Sequence, residues 1–591
     1  MATQETTPWT MPRDAAKLMD VALGNAPADL AVVNATLLNV YTGELLKKQS
    51  ISVVDKWIAY VGEDAQDAIG SETTVIDADG KTVIPGLIDG HTHLGWMCTI
   101  DEYLRYIIPG GTTTIVTETL EPYPVGGFEA VQEFLASLEE QPIKFLATAP
   151  AMVSISRKAG HMPLQDLKRL FSYNNVVGLG ESYWQNVLQQ PDILLPRFAE
   201  TLKSGKILEG HSAGANDKKL NAYIATGITS CHEPIKADEV IQRLRLGIHV
   251  MAREGSIRRD LKEIAKISKT QVDLRRLILV TDGIHPDDLL EKGYMEYVVQ
   301  KAIAYGFDPV TAVQMATLNV AEHFSLDHWV GGIAPGRFAD MLVIPDISTI
   351  QPLTVISNGR IVFDNDALLF PARPHAFSDE SRHSVHFSRQ FESADFTLDS
   401  GSQSEITSVR AMELITDLVT KEIHLALPAV DGNITSDVGQ DLLKVAAIDR
   451  RHNQEKTFVG LVKGFGLKSG AFAGSAAWDT SDIIVIGAND HDMASAVNRI
   501  HALQGGYVLC ENGHIVAEVP LPIWGLISDL PITELVTRIS TLKQALKDRG
   551  VSFPDPLLTI ITLTGAAIPF FRICEEGYVD LKNGSTHGLY F

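Results

Sequence analysis

Pro85-Gly86-Leu87-Ile88-Asp89-Gly90-His91-Thr92-His93 is an apolar run that ends in two histidines one residue apart. On an extended strand, side chains i and i+2 point the same way, so both imidazoles reach one point at the strand's end while Thr92 faces elsewhere. Imidazoles placed in this way suit a shared metal ion. A lone His-x-His pair also reads as two unrelated loop residues, and the chain downstream decides between the two readings.

From Leu87 to Asp282 eight short β-branched or apolar runs follow one another: Leu87–Leu94, Thr112–Glu118, Lys144–Ala149, Val176–Glu181, Lys206–His211, Gly227–His232, Gly247–Glu254 and Leu277–Asp282. Most are separated by stretches long enough for a helix, which predicts an α/β fold built on a (β/α)8 TIM-type barrel. Chemistry in that fold sits at the carboxyl ends of the strands. Several runs end there in residues of metal-binding type: His91 and His93, Glu181, His211, His232 and Asp282. Each alone reads as a cap or a turn residue; together, at corresponding strand ends, they read as a site.

Imidazole and carboxylate together suit Zn2+, Fe2+ or Mn2+, and one shared carboxylate can hold two such ions about 3.5–4 Å apart. Glu181, on the fourth strand, is the natural bridge. A bound water then ionises near neutral pH, and Asp282 on the last strand can accept and redeliver its proton. The constellation describes a hydrolase.

Around the barrel, short β-like bursts run from about Leu30 to Val83, with a turn at Tyr41-Thr42-Gly43 between Ala31–Val40 and Ile51–Val54. A similar signature returns from Gly331-Gly332-Ile333-Ala334-Pro335-Gly336-Arg337 through Met341–Ile344 and Val355–Phe363. The expected organisation is an N-terminal extension (1–29), a small β domain built from both flanks (30–84 plus 331–364), the metal-binding barrel (85–330), an irregular connector (365–410) and a C-terminal α+β domain (411–591). In the last, Ile483–Ile486 and Tyr507–Leu509 read as strands, and Ala494–Ala502 and Ile532–Lys547 as helices.

The 591 residues are 45% hydrophobic, enough for several cores, and carry 73 acidic against 50 basic residues, a formal charge of −23. That balance argues against nucleic acid and anionic membrane as partners and for a small-molecule ligand. Cys98, Cys231, Cys510 and Cys574 show no CxxC spacing, which fits reduced thiols in a cytosol. Met1–Asp14 is polar without an apolar core, and no long apolar span follows, so a cytoplasmic protein is expected. The His-x-Glu with Pro-Cys-x-x-Cys of the base-flipping zinc deaminases, a His-Glu-x-x-His helix and a P-loop are absent, and Gly464-Phe465-Gly466 is only a fragment of a glycine loop.

The Pro85–His93 start, the later single histidines and Thr281-Asp282 resemble the amidohydrolase superfamily and, within it, the adenine deaminase family. The specific similarities are Gly178-Leu179-Gly180-Glu181, Glu209-Gly210-His211-Ser212-Ala213-Gly214, Cys231-His232-Glu233, Arg253-Glu254-Gly255-Ser256 and Thr281-Asp282-Gly283. In the C-terminal third, Gly460–Leu467, Asp492-Met493-Ala494 and Leu521-Pro522-Ile523-Trp524-Gly525-Leu526 resemble that family's extra domain. The resemblance covers roughly residues 30 to 580.

Carried over residue by residue, it implies one ion held by His91, His93, Glu181 and Asp282, and a second by Glu181, His211 and His232. The two ions are expected to be Mn2+ or Fe2+, with Zn2+ also compatible. The implied reaction is attack of a metal-bound hydroxide on C6 of adenine, a small-molecule purine, followed by loss of ammonia to give hypoxanthine. Asp282 takes and redelivers the proton; Glu233 hydrogen-bonds or protonates the ring; His285 reads equally as a proton-transfer group or as a loop histidine. The resemblance also implies a homodimer or larger assembly.

Two segments depart from the family. Its Asp-Pro-His-Glu after the second strand is Glu118-Thr119-Leu120-Glu121 here, and its His-Asp-Ser-His-Asn in the C-terminal domain is Trp478-Asp479-Thr480-Ser481-Asp482. The departures mark the chain as a divergent paralogue and leave Glu118 and Glu121 as candidates for substrate contact. They also leave open deamination of a related amino-purine or pterin, hydrolysis of a cyclic amide or N-acyl group, and a scaffold without activity.

Overall fold

A computed structural model of the chain describes residues 14–151, 154–157, 160–400, 406–451, 456–568 and 570–591. Most of the polar N-terminal stretch, Met1–Arg13, lies outside them, as does part of the connector, 401–405.

The barrel is the centre of the molecule. Its first five strands, Leu87–Thr92, Thr112–Thr117, Lys144–Ala149, Val176–Tyr183 and Ile207–His211, form one parallel sheet in sequential order. The last three, Ser230–Cys231, His249–Arg253 and Leu277–Val280, form a second. Backbone hydrogen bonds join the two sheets at both seams: Thr229 N donates to Leu208 O at 3.0 Å, and Asp282 N to His91 O at 3.0 Å. The second seam is reinforced by Thr281 Oγ1, which donates to Asp89 Oδ2 at 2.6 Å. Parallel strands buried on both faces account for the unbroken apolar runs in the sequence.

Some boundaries shift from those read in the sequence. Glu181 lies inside its strand, which continues to Tyr183, and the Gly227–His232 run shortens to Ser230–Cys231 because Gly227 takes a left-handed turn at φ 102°.

Strands from both flanks share one nine-stranded sheet, where Met341–Ile344 pairs antiparallel with Thr82–Pro85. The hairpin partner of Leu30–Asn39 begins at Glu44 rather than Ile51. Residues 44–48 are largely exposed, and after Glu44–Leu46 pair with Leu37–Asn39 the register shifts before Gln49, so the apolar pattern of a strand is broken there.

The C-terminal region is built on an eight-stranded sheet containing Asp482–Gly487 and Gly506–Glu511. Helices Asp490–Leu503 and Ile532–Asp548 pack on it. Strand Ile406–Leu414 belongs to this sheet and runs across the 410/411 position, and the preceding connector contains a helix at Asp379–Arg382. The barrel and this region are tied by backbone pairing, Met97–Cys98 running parallel to Ile527–Ser528. All four cysteines are buried free thiols, and no described helix is long and apolar enough to cross a membrane.

Candidate metal centre and substrate cavity

His91 and His93 leave the first strand on the same side, while Thr92 turns to the opposite side, its hydroxyl 3.0 Å from Thr281 Oγ1. Both imidazoles meet the carboxylates of strands four and eight. His91 Nε2 lies 3.2 Å from Glu181 Oε1 and 3.2 Å from Asp282 Oδ1; His93 Nε2 lies 3.3 Å and 3.5 Å from the same two atoms. His232 Nε2 is also 3.3 Å from Oε1, its ring stacked on that of His91 at 4.3 Å, and His211 Nδ1 is 3.3 Å from Oε2. Four histidines therefore converge on one carboxylate, three at Oε1 and one at Oε2. Two local backbone features permit this. A Cβ on Gly180 would come within 2.0 Å of Glu118 Oε2, so a larger residue ahead of Glu181 would displace the Glu118 carboxyl, and Asp282 adopts the left-handed φ of 58° that aspartate tolerates.

The charges are arranged for a cation. Burial works against ionising Glu181 and Asp282, yet the surrounding histidines, with Arg253 beside Asp282, hold both well below the usual carboxylate range. Burial likewise opposes protonating His91, but its bonds to Asp282 and Glu181 push it up to about 10. The ligating atoms of His91, Glu181, His232 and Asp282 lie within 4.8 Å of one another, as do those of His211, His232 and Glu233. The buried Nε2 of His211 has no hydrogen-bond partner among the described residues. This donor set of neutral-capable imidazoles and ionised carboxylates fits a divalent metal site.

The remaining candidates occupy distinct places. Glu233 Oε1 is 3.4 Å from His232 Nε2 and accepts a hydrogen bond from Arg253 Nη1. Although burial opposes it, the Arg253 charge keeps Glu233 below the usual carboxylate range. Glu121 and Glu118 are not among the side chains lining the cavity: Glu121 Oε1 is 2.5 Å from His93 Nδ1, and Glu118 Oε1 is 3.7 Å from His91 Nδ1. Burial pushes the Glu118 carboxyl up to about 8. Both thus stand against the far nitrogens of candidate metal ligands. His285 stands away from the cluster, with Nδ1 3.0 Å from Asp555 Oδ2 of the C-terminal region and its ring edge-on to Trp96 at 4.5 Å.

Arg253 carries more of the site than the sequence suggested. At the end of the seventh strand, its fork reaches Glu233, Asp282 Oδ2 at 3.2 Å and Asp260 Oδ2 at 3.0 Å. The signal was its place at a strand end beside the acidic set. Gly210-His211-Ser212-Ala213-Gly214 also has the Gly-x-Ser-x-Gly spacing of a serine-hydrolase elbow. Ser212 is fully buried, with its hydroxyl engaged by Cys231 Sγ at 2.8 Å and Arg243 Nε at 3.1 Å, which removes that reading.

Above the cluster opens a cavity of about 540 Å³. Its walls come from the barrel mouth, including Tyr183, Glu233 and Ile257, and from the C-terminal region through Leu418, Trp478 and Ile568. One chain thus supplies a buried metal-binding base and an apolar roof from a different part of the fold.

Residues 82–362 match the amidohydrolase family and residues 417–585 the adenine deaminase C-terminal domain. Over 572 residues the chain is 35% identical to an adenine deaminase of Clostridium botulinum, covering 95% of both chains. The chain belongs to the adenine deaminase family. Other adenine deaminases are similarly related: that of Moorella thermoacetica is 36% identical over 95% of this chain and 96% of its own, and that of Cenarchaeum symbiosum 33% over 97% and 94%. In this adenine deaminase family member, both matched segments contribute walls to the cavity.

Proposed function

We propose that the chain hydrolyses adenine to hypoxanthine and ammonia at a centre of two divalent ions, Mn2+ or Fe2+, in a cytoplasmic homodimer or larger assembly. The observation that carries this reading is the convergence of His91, His93, Glu181, His211, His232 and Asp282 at the foot of a cavity roofed by the family's C-terminal domain. His91, His93, Glu181 and Asp282 would hold one ion, and Glu181, His211 and His232 the other. When bound, the ions supply a hydroxide nucleophile near neutral pH.

The chain's own groups then manage the protons. Addition of water across C6 and N1 followed by loss of N6 as ammonia requires one proton at N1 and one at the departing nitrogen. Asp282 stands ionised within the cluster and accepts a proton, then returns it to N6 as the C6–N6 bond breaks. Glu233, ionised beside Arg253, takes the first proton of the added water, passes it to N1 and binds the ring N–H that results. Trp478, Leu418, Ile257 and Ile568 keep bulk water from the reacting carbon.

The test is turnover of adenine in 18O-labelled water. Equal release of ammonia and of hypoxanthine labelled at its C6 oxygen supports the reaction; an unchanged adenine pool, or ammonia without labelled hypoxanthine, overturns it.

A further inference from the structure

Trp478 stands where the family places a histidine, and the fold brings it from the C-terminal region into the cavity wall directly beside a candidate metal ligand. Its ring is 6.1 Å from that of His93 at an interplanar angle of 28°. On a second side it meets Trp96 edge-on at 6.1 Å and 73°, and Trp96 in turn meets His285, which Asp555 holds. A Cβ on Gly565 would lie 3.8 Å from the indole Cε3, so the backbone there packs against the ring as well. The side chain is half-buried, its remaining surface facing the cavity.

The backbone under the ring is fixed. Thr564 Oγ1 donates to Trp478 O at 2.7 Å, and Ser154 Oγ of the barrel donates to Asp479 O at 2.5 Å. The Asp479 carboxylate accepts from Ala566 N at 2.8 Å and from Tyr183 OH at 3.3 Å, with Asp479 itself in the left-handed region at φ 61°. An indole anchored on both flanks loses little freedom when a ligand meets it, so its contact is worth more than that of a mobile side chain.

A preset π surface beside the reacting centre selects ligands by flatness. Stacking on an aromatic side chain is open to any heteroaromatic ring and is unavailable to a puckered cyclic amide or an acyl chain. We propose that Trp478 is the specificity-determining platform of this site, stacking a planar purine-type ring so that its exocyclic amine faces the metal centre. The proposal rests on the reading that the cavity takes a purine. It gives the C-terminal domain a direct share in substrate choice, and it locates that share in one of the two segments where this chain departs from its family.

The test measures hypoxanthine binding to the metal-loaded, full-length protein by calorimetry, alongside adenine kinetics, for the wild type, Trp478→Phe and Trp478→Leu. Loss of stacking weakens binding about 10- to 100-fold in Trp478→Leu, and Trp478→Phe restores it to within about fivefold. The KM for adenine rises in step with that loss while kcat changes less, and the metal content stays at the wild-type level. Wild-type affinity in Trp478→Leu, or equal loss in the Leu and Phe variants, overturns the platform. Trp478-dependent hypoxanthine binding without any ammonia release from adenine leaves the platform standing and removes the proposed reaction. Adenine turnover with an unchanged KM in Trp478→Leu leaves the reaction standing and removes the platform.

Discussion

Glu121 Oε1 lies 2.5 Å from Nδ1 of His93, the ring whose other nitrogen faces Glu181 and Asp282. A carboxylate on the far nitrogen fixes both the tautomer and the orientation of a ligating imidazole. Glu121→Ala therefore lowers metal affinity by about 10- to 100-fold while the fold is kept. Titration of the chelated protein with Mn2+ checks this, and affinity equal to the wild type contradicts it.

Arg253 neutralises Glu233, Asp282 and Asp260 from one buried fork. Arg253→Met leaves these carboxylates without their cation, a change that costs about 3–5 kcal/mol when one partner of a buried pair is lost. Divalent ions restore part of the missing positive charge. The fall in urea midpoint is accordingly larger for the chelated than for the metal-loaded variant, and equal falls contradict the assignment.

Glu296 is half-buried at the start of the helix Met295–Ala304, with Oε2 enclosed and unpartnered among the described residues, and desolvation pushes its carboxyl up to about 7. The folded chain thus retains a proton that the unfolded chain releases near pH 4.3. Stability is complete below that pH and falls as pH rises through 7, by about 4 kcal/mol in all. Glu296→Gln removes the loss: its urea midpoint matches the wild type near pH 4 and exceeds it at pH 8. A midpoint difference that does not change with pH contradicts this.

Asp555 accepts from Leu557 N and Leu558 N as the N-cap of helix Pro556–Thr562, and pairs with His285 and Lys543. Although burial opposes it, the His285 and Lys543 charges hold its carboxyl well below the usual range. Loss of the cap alone costs about 1 kcal/mol. Asp555→Ala lowers the melting temperature at neutral pH and leaves metal content unchanged, since His285 stands outside the metal-binding group; loss of metal from this variant contradicts that placement.

The barrel was legible because strands buried on both faces must be continuous apolar runs, and the candidate ligands because each sits at or near the carboxyl end of one. Ser230–Cys231 was overread for the same reason, since apolar residues in the preceding turn look like strand. Glu44–Lys48 was missed because a largely exposed segment with a register shift carries no regular apolar alternation. The supporting contacts needed the fold. Glu121 and His93 are 28 residues apart, Tyr183 and Asp479 are 296 apart, and nothing local in the sequence pairs them. Trp478 was visible only as a departure from a motif; its place in the cavity wall depends on how the C-terminal sheet docks on the barrel.

The central claim is that these side chains hold two ions that the reaction requires. The direct measurement is adenine turnover by the chelated protein as Mn2+ is added back, with Glu181→Ala in parallel. The expected result is no turnover without metal, activity rising to a plateau at about two ions per chain, and none at any metal level in the variant. Full turnover in the chelated protein, or a wild-type plateau in Glu181→Ala, would contradict it.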